Sequence, residues 1–397
     1  MTIPLPQGYR LNGVHCGIKQ QSQQEDVTLI VSDSAATAAG VYTQNVIRAA
    51  PVELDASRTP ANNIRAIIVN SGNANACTGT QGDQDAIRMT QMVAEVCHIP
   101  AESVLVMSTG IIGTLLPMDC VQTGIQAAAQ DLASSLQHWE AAARGIMTTD
   151  LVPKMSGRLV DMELGPVHIT GIAKGSGMIG PNMATMLSVL LTDAPLDADT
   201  AQSILTEAVQ DSFHCISVDG HTSTNDTVLL LANGHNRPGT LTAKDEVSLR
   251  QAVKEVCIDL ARAIAADGEG ASHLITIDVA GSTSCADAHK IARAVANSPL
   301  VKTAIAGADP NWGRIVSAAG YAGVPFDPTG LDLAINGTMI YQAGTPLDFD
   351  AEQLSALIRD TFETSIVITL HAGNAGARFW TCDLTNEYVH INADYHT

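Results

Sequence analysis

The chain has 397 residues, 46% of them apolar, 16% charged and 4% aromatic, with 32 glycines and a net charge of −20. That length exceeds one ordinary core and suits two domains or two closely packed halves, in a composition typical of folded globular proteins. Residues 1–184 carry 10 basic against 15 acidic side chains and residues 185–397 carry 11 against 26, so neither half has a field for phosphates or an anionic bilayer, which excludes nucleic acid and membrane as partners.

Apolar runs stay far below the roughly 18 residues of a membrane span, and the first residues lack the basic and apolar regions of a signal peptide. Eight scattered cysteines without a CxxC pair read as reduced thiols, so the expected location is the cytoplasm. Val27–Ser32 and Ala39–Thr43 read as strands. Ala66–Val69 is a buried strand emptying into Asn70–Gly79, a loop suited equally to ligand contact or to a turn held by its own asparagines. Asp83–Val96 has helical spacing, with Met89, Met92, Val93 and Val96 on one face. Ser103–Met107 is a short strand ending in Ser108-Thr109-Gly110. Pro117 opens a helix, and another, Trp139–Met147, is closed by Thr148-Thr149-Asp150. Arg158–Leu164 and Val167–Ala173 make a hairpin.

Past the middle, Leu187–Leu191 is a strand and Asp199–Phe213 a helix; Cys215–Val218 and Thr227–Ala232 are strands flanking Asp219–Asp226. Glu246–Ala266 is the longest helical pattern, stopped by Asp267-Gly268-Glu269-Gly270. Ile275–Val279 and Val301–Ile305 read as strands around the helix Ala286–Asn297. Asp350 with Gln353 resembles a capping box for Ala351–Phe362, and the strands Ile366–Leu370 and Phe379–Leu384 precede the tail Asn392–Thr397. The fold class is α/β, layered, without the regular rhythm of one doubly wound sheet.

The stretch Lys174–Asp193, KGSGMIGPNMATMLSVLLTD, organises the rest. Gly175–Gly180 matches GxGxxG, with Asp193 at a distance suited to a ribose-binding acid. A dinucleotide site needs a helix after the glycines, yet only Pro181–Met186 separates the loop from the next strand, too short for a crossover of roughly a dozen residues. What remains is Thr185 at the lip of a buried strand. A cut between Ala184 and Thr185 would make it N-terminal, and its α-amine, of a type that ordinarily titrates at about 7.7–8.0, would serve as base for its own hydroxyl. On residue types alone a plain strand start suits Thr185 as well.

The segment KGSGMIGPNMATMLSVLLTDA resembles the processing site of the ornithine acetyltransferases, the glutamate N-acetyltransferase family of arginine biosynthesis. Asn70–Gly79, Met107–Gly113, Met147–Asp150, Val218–Asp226, Asp267–Ala271, Gly307–Ile315 and Asn392–Thr397 resemble further family blocks in family order, so the likeness covers the whole chain. His221 departs from it, standing where an acid is expected.

The resemblance implies a layered fold like that of N-terminal-nucleophile hydrolases, cut into an α chain 1–184 and a β chain 185–397 that assemble as α2β2. It implies Thr185 as nucleophile, Thr109 and Gly110 as oxyanion-hole pair, and Thr148, Lys174, Thr185, Glu269, Asn392 and Thr397 as substrate-binding residues. The implied reaction moves acetyl from N2-acetyl-ornithine to glutamate, with acetyl-CoA as a possible co-substrate and no cofactor. No HExxH spacing or cysteine cluster marks a metal site.

Overall fold

A computed structural model describes residues 3–20, 22–163, 165–180, 186–235, 237 and 239–394. Their strands run β1 (Tyr9–Val14), β2 (Val27–Tyr42), β3 (Ala61–Asn73), β4 (Val104–Ile111), β5 (Lys154–Val160), β6 (Val167–Lys174), β7 (Leu187–Thr192), β8 (Ile216–Ser217) and β9 (Thr227–Ala232). Then come β10 (Leu274–Ser282), β11 (Asp332–Ile335), β12 (Thr338–Gln342), β13 (Thr345–Pro346), β14 (Glu363–Thr369) and β15 (Ala375–Cys382). One sheet has the order β4-β3-β2-β9-β7-β6-β5, with β1 beside the first half of β2; the other runs β13-β12-β11-β14-β10-β15-β8. The expected layered α/β class is what forms.

The first sheet is buried on both faces, which is why β9 reads TVLLLA without polar alternation. Val228 and Leu230 enter the core shared with the helices Ala198–Gln210 and Ala243–Ala266 and with Ile275 and Ile277 of the second sheet. Leu229 and Leu231 face the opposite way, toward Trp139 of the helix Leu136–Gly145. The helices Gly79–Cys97 and Met118–Gln130 cover the far end, over Val27, Leu29, Ile68 and Val106.

Several expectations need correction. The two early strands are one, β2, bent by register shifts after Val31. The strand expected over Ala66–Val69 continues through Asn70–Asn73, and that over Ser103–Met107 through Ser108–Ile111, because the polar residues satisfy one another: Ser108 Oγ donates to Asn70 Oδ1 at 2.6 Å, and Asn70 Nδ2 donates to Asn73 O at 2.8 Å. Val301–Ile305 is helical, inside Pro299–Ala306. Ser298 caps it by accepting the Val301 N–H, and Pro299 opens it, signals that outrank a short aliphatic run. Asn392–Asp394 of the tail end the helix Asn386–Asp394. Asp350 caps Ala351–Asp360 as expected, accepting the Gln353 N–H at 2.9 Å.

The dinucleotide reading fails structurally as well. β6 and β7, on either side of Gly175–Gly180, are antiparallel neighbours with Lys174 opposite Leu187, whereas a dinucleotide site is built on parallel strands. Among the described residues no helix is long and apolar enough to cross a membrane.

Candidate active site

One end of the first sheet gathers the ends of β3, β4 and β6 with the beginnings of β7 and β9. The registers Gly72–Gly110, Lys174–Leu187 and Leu187–Thr227 put these residues side by side. A cavity of about 80 Å³ opens there, lined by Thr109, Gly110, Thr148, Lys174, Glu269 and Asn392. These are six of the residues expected from the sequence, drawn from five separate stretches. Ala184, Thr185 and Thr397 lie outside the described residues.

Thr109 and Gly110 end β4. Gly110 has φ of +136°, and a Cβ there would overlap the backbone of Gly72 and Asn73, so only glycine lets β4 lie this close to β3. Lys174 Nζ donates to Thr109 Oγ1 at 3.3 Å in a buried setting. A hydroxyl that accepts from an ammonium keeps its own proton free to donate, and more strongly. Burial, opposed by Asp150, lowers the Lys174 pKa from its ordinary value.

Beneath Lys174 lies a set of charges that sequence reasoning gave no role. Lys154 Nζ bridges Asp150 Oδ1 at 2.7 Å and Asp267 Oδ2 at 2.6 Å, and its ammonium and the Asp150 carboxylate are almost wholly buried. Asp150 also accepts the Gly175 N–H at 2.6 Å and the Thr148 N–H at 3.0 Å, fixing both the start of the glycine loop and the threonine of the cavity wall. Burial works to raise the Asp150 pKa, but Lys174, Lys154 and the Gly175 N–H hold it down at about 2. The i, i+4 spacing of Asp150 and Lys154 was the one signal available in the sequence.

The opposite wall hangs from the end of the helix Ala243–Ala266. Ser176 Oγ donates to Asp267 O at 2.6 Å, and Glu269 N returns a bond to Ser176 O at 3.0 Å, so the glycine loop and the Glu269 turn form one unit. Asn392 Nδ2 donates to Glu269 Oε2 at 2.9 Å, docking the last helix on that carboxylate. Gly177 lies against the same carboxylate, where a Cβ would overlap it. Farther along the loop, Ile179 O accepts N–H groups of Val218, Asp219 and Gly220, and Asp219 Oδ2 accepts from Met178 N at 2.7 Å. His221 is exposed and does not line the cavity; its amide bonds Asp219.

Thr149, Ser223, Thr224 and Asn225 also line the cavity, beside the apolar Ala74, Ile112 and Met178, and the sequence gave them no role. Asn225 Nδ2 donates to Ala74 O at 2.6 Å and Ser108 O at 2.9 Å, clamping the turn before β9 onto β3 and β4. Among the described residues no group of three or more His, Cys, Asp or Glu side chains could hold a metal ion. The hydroxyl of Thr109 and the backbone of Gly110 can polarise a carbonyl, and Glu269 can meet a cation.

A family model, that of the ArgJ family, matches residues 10–397. The chain is similar to the arginine biosynthesis bifunctional protein ArgJ of Rhodopirellula baltica, at 45% identity over 396 residues, covering 99% of this chain and 96% of that one. The protein of the same name from Thermotoga neapolitana is 44% identical over 403 residues, covering 99% and 100%. The crystal structure of arginine biosynthesis bifunctional protein argJ from Bacillus halodurans matches with a TM-score of 0.51 and 40% identity, over 52% of this chain and 98% of that one.

Proposed function

Because this chain belongs to the ArgJ family, we propose that it is an acetyltransferase of arginine biosynthesis, moving acetyl from N2-acetyl-ornithine to glutamate. Its curated relatives carry the name of a bifunctional enzyme, and acetyl-CoA as a second acetyl donor belongs to the same reading. The observation that carries it is the convergence of Thr109, Gly110, Thr148, Lys174, Glu269 and Asn392 on one cavity, beside the strand that Thr185 precedes.

In this reading the bond between Ala184 and Thr185 is cut by the chain itself. The Thr185 hydroxyl then attacks the acetyl carbonyl while the Thr185 α-amine takes its proton. The developing oxyanion receives the Thr109 hydroxyl and the Gly110 N–H. The amide C–N bond breaks, ornithine leaves with the proton on its amine, and glutamate's amine attacks the acetyl ester in a second half-reaction. Glu269 suits the side-chain ammonium of ornithine, while Lys174, Thr148, Asn392 and Thr397 suit a substrate carboxylate. The α chain 1–184 and β chain 185–397 stay together, as α2β2 in the cytoplasm. The Bacillus halodurans chain supports a cut, because 98% of it is matched by about half of this chain, the length that such a product would have.

Intact mass and N-terminal sequencing test this directly. Two chains are expected, the second beginning TMLSVLL, with Thr185→Ala uncut and inactive. A single chain that still transfers acetyl, or an active T185A, would sink the mechanism. Release of acetate alone in the presence of glutamate would point to hydrolysis instead.

A further inference from the structure

The helix Asn386–Asp394 reaches the cavity through Asn392, yet none of its side chains is buried, and Val389 is exposed. Nine residues are too few to hold a helix in water by themselves, so contacts with the body must keep this one in place. Among the described residues two side-chain hydrogen bonds tie it there. Tyr388 OH donates to Asp219 Oδ2 at 3.2 Å, and Asn392 Nδ2, one turn later on the same face, donates to Glu269 Oε2 at 2.9 Å. The start of the helix passes close to Gly270, where a Cβ would overlap Tyr388 N and the Glu387 carbonyl carbon.

Asp219 and Glu269 meet successive residues of the glycine loop. Asp219 Oδ2 also accepts the Met178 N–H at 2.7 Å, securing Met178 at a φ of +57°, a left-handed conformation that any side chain makes costly. The Glu269 carboxylate lies against Gly177. Gly177 and Met178 both line the cavity, so the helix rests its hydroxyl on the acid that secures one and its amide on the acid beside the other. Burial, and after it the Asp219 charge, push the Tyr388 phenol above its ordinary range, so it keeps its proton and stays a donor.

We propose that Tyr388 is a positioning residue of the transferase: its bond to Asp219 holds the last helix down, so that Asn392 fixes the Glu269 carboxylate for the ammonium of ornithine. This rests on Glu269 as the ornithine site and extends it to a side chain outside the cavity lining. Tyr388 touches no reacting atom and acts through Asn392, which also donates to the Tyr388 carbonyl at 3.0 Å. Coupling of this kind is reciprocal. A docked helix tightens ornithine on Glu269, and ornithine on Glu269 tightens the docking of the helix.

Tyr388→Phe is the test, since it keeps the ring and removes the hydroxyl. A hydrogen bond to a charged acceptor has a strength that corresponds to roughly tenfold in an equilibrium. Y388F should therefore bind ornithine ~10-fold more weakly in titration calorimetry, with KM for N2-acetyl-ornithine raised to match and kcat within about twofold. Its melting temperature should stay within about 2 °C of wild type, because the helix buries no side chain. Wild-type affinity for ornithine in Y388F overturns the inference. Loss of kcat and melting temperature together overturns it too, since the hydroxyl would then serve the fold at large. If Y388F does not fold, hydrogen exchange of wild-type protein decides: saturating ornithine should slow the amides of residues 386–394 at least ~5-fold, and amides indifferent to ornithine refute the coupling. Wild type that neither binds ornithine nor takes acetyl from N2-acetyl-ornithine would remove the Glu269 reading and this one together. A wild type that does both, beside an indifferent Y388F, would remove only this one.

Discussion

Gly177 and Glu269 show how one missing side chain sets the shape of the site. The Glu269 carboxylate occupies the space where a Cβ of Gly177 would be, and Gly177 is not among the left-handed glycines, so alanine suits its backbone. A carboxylate at the end of a flexible side chain can move aside cheaply. Gly177→Ala should therefore fold with a stability change under about 1 kcal/mol while displacing Glu269, so that KM for N2-acetyl-ornithine rises ~10-fold and kcat changes less. Thermal melts beside steady-state kinetics check this; an unchanged KM would mean that Glu269 does not hold the substrate ammonium. At this scale sequence was a partial guide. Thr109, Gly110, Thr148, Lys174, Glu269 and Asn392 were found through resemblance, because a hydroxyl or an amide in a loop has no periodicity to betray it. Asp150 stayed hidden because it is a single acid among small polar residues, and only the fold shows that it faces Lys154, Gly175 and Thr148.

Among elements, the Asp150–Lys154–Asp267 bridge joins β5, the loop before it and the end of the helix Ala243–Ala266. Removing the cation strands two carboxylates in poor solvent, a situation that costs about 3–5 kcal/mol. Lys154→Met should be destabilised by that order at pH 7. The sign of its pH dependence follows from Asp150, whose folded pKa of about 2 lies below the ordinary 3.8. Its contribution, on the order of 2 kcal/mol, is present above about pH 4 and lost as the pH falls through about 2. The gap between wild type and variant should therefore narrow over that range in denaturant unfolding; a constant gap would show that the bridge is not its source. Elements with long, regular patterns were legible: the helix Ala243–Ala266, the aliphatic β7 and β9, and the β5–β6 hairpin. The helix Trp312–Gly320 and the short strands β11–β13 were not, since a few residues with a register shift between Leu333 and Ala334 carry too little pattern. The Pro299–Ala306 helix is hard to tell from a strand because its short apolar run fits either structure, and Ser298 and Pro299 at its start are what separate the two.

The whole molecule does not divide where the chain is proposed to be cut. In the first sheet β9 and β7 lie side by side between β2 and β6, so the two strands that follow residues 184–185 are enclosed by strands that precede them in one hydrogen-bonded layer. The cut protein should elute as one species in native size-exclusion chromatography and yield two chains only in denaturant. Chains that part in plain buffer would contradict so interleaved a sheet.

That strand order also bears on molecularity. Before the cut, β2, β6, β7 and β9 belong to one polymer and assemble in a first-order process. Afterwards the same layer can re-form only through an encounter between two molecules, slowed by dilution and vulnerable to aggregation. Recovery from denaturant should then depend on protein concentration for the mature enzyme and not for uncut T185A. Its working lifetime would be set by how slowly it unfolds rather than by how favourably it folds.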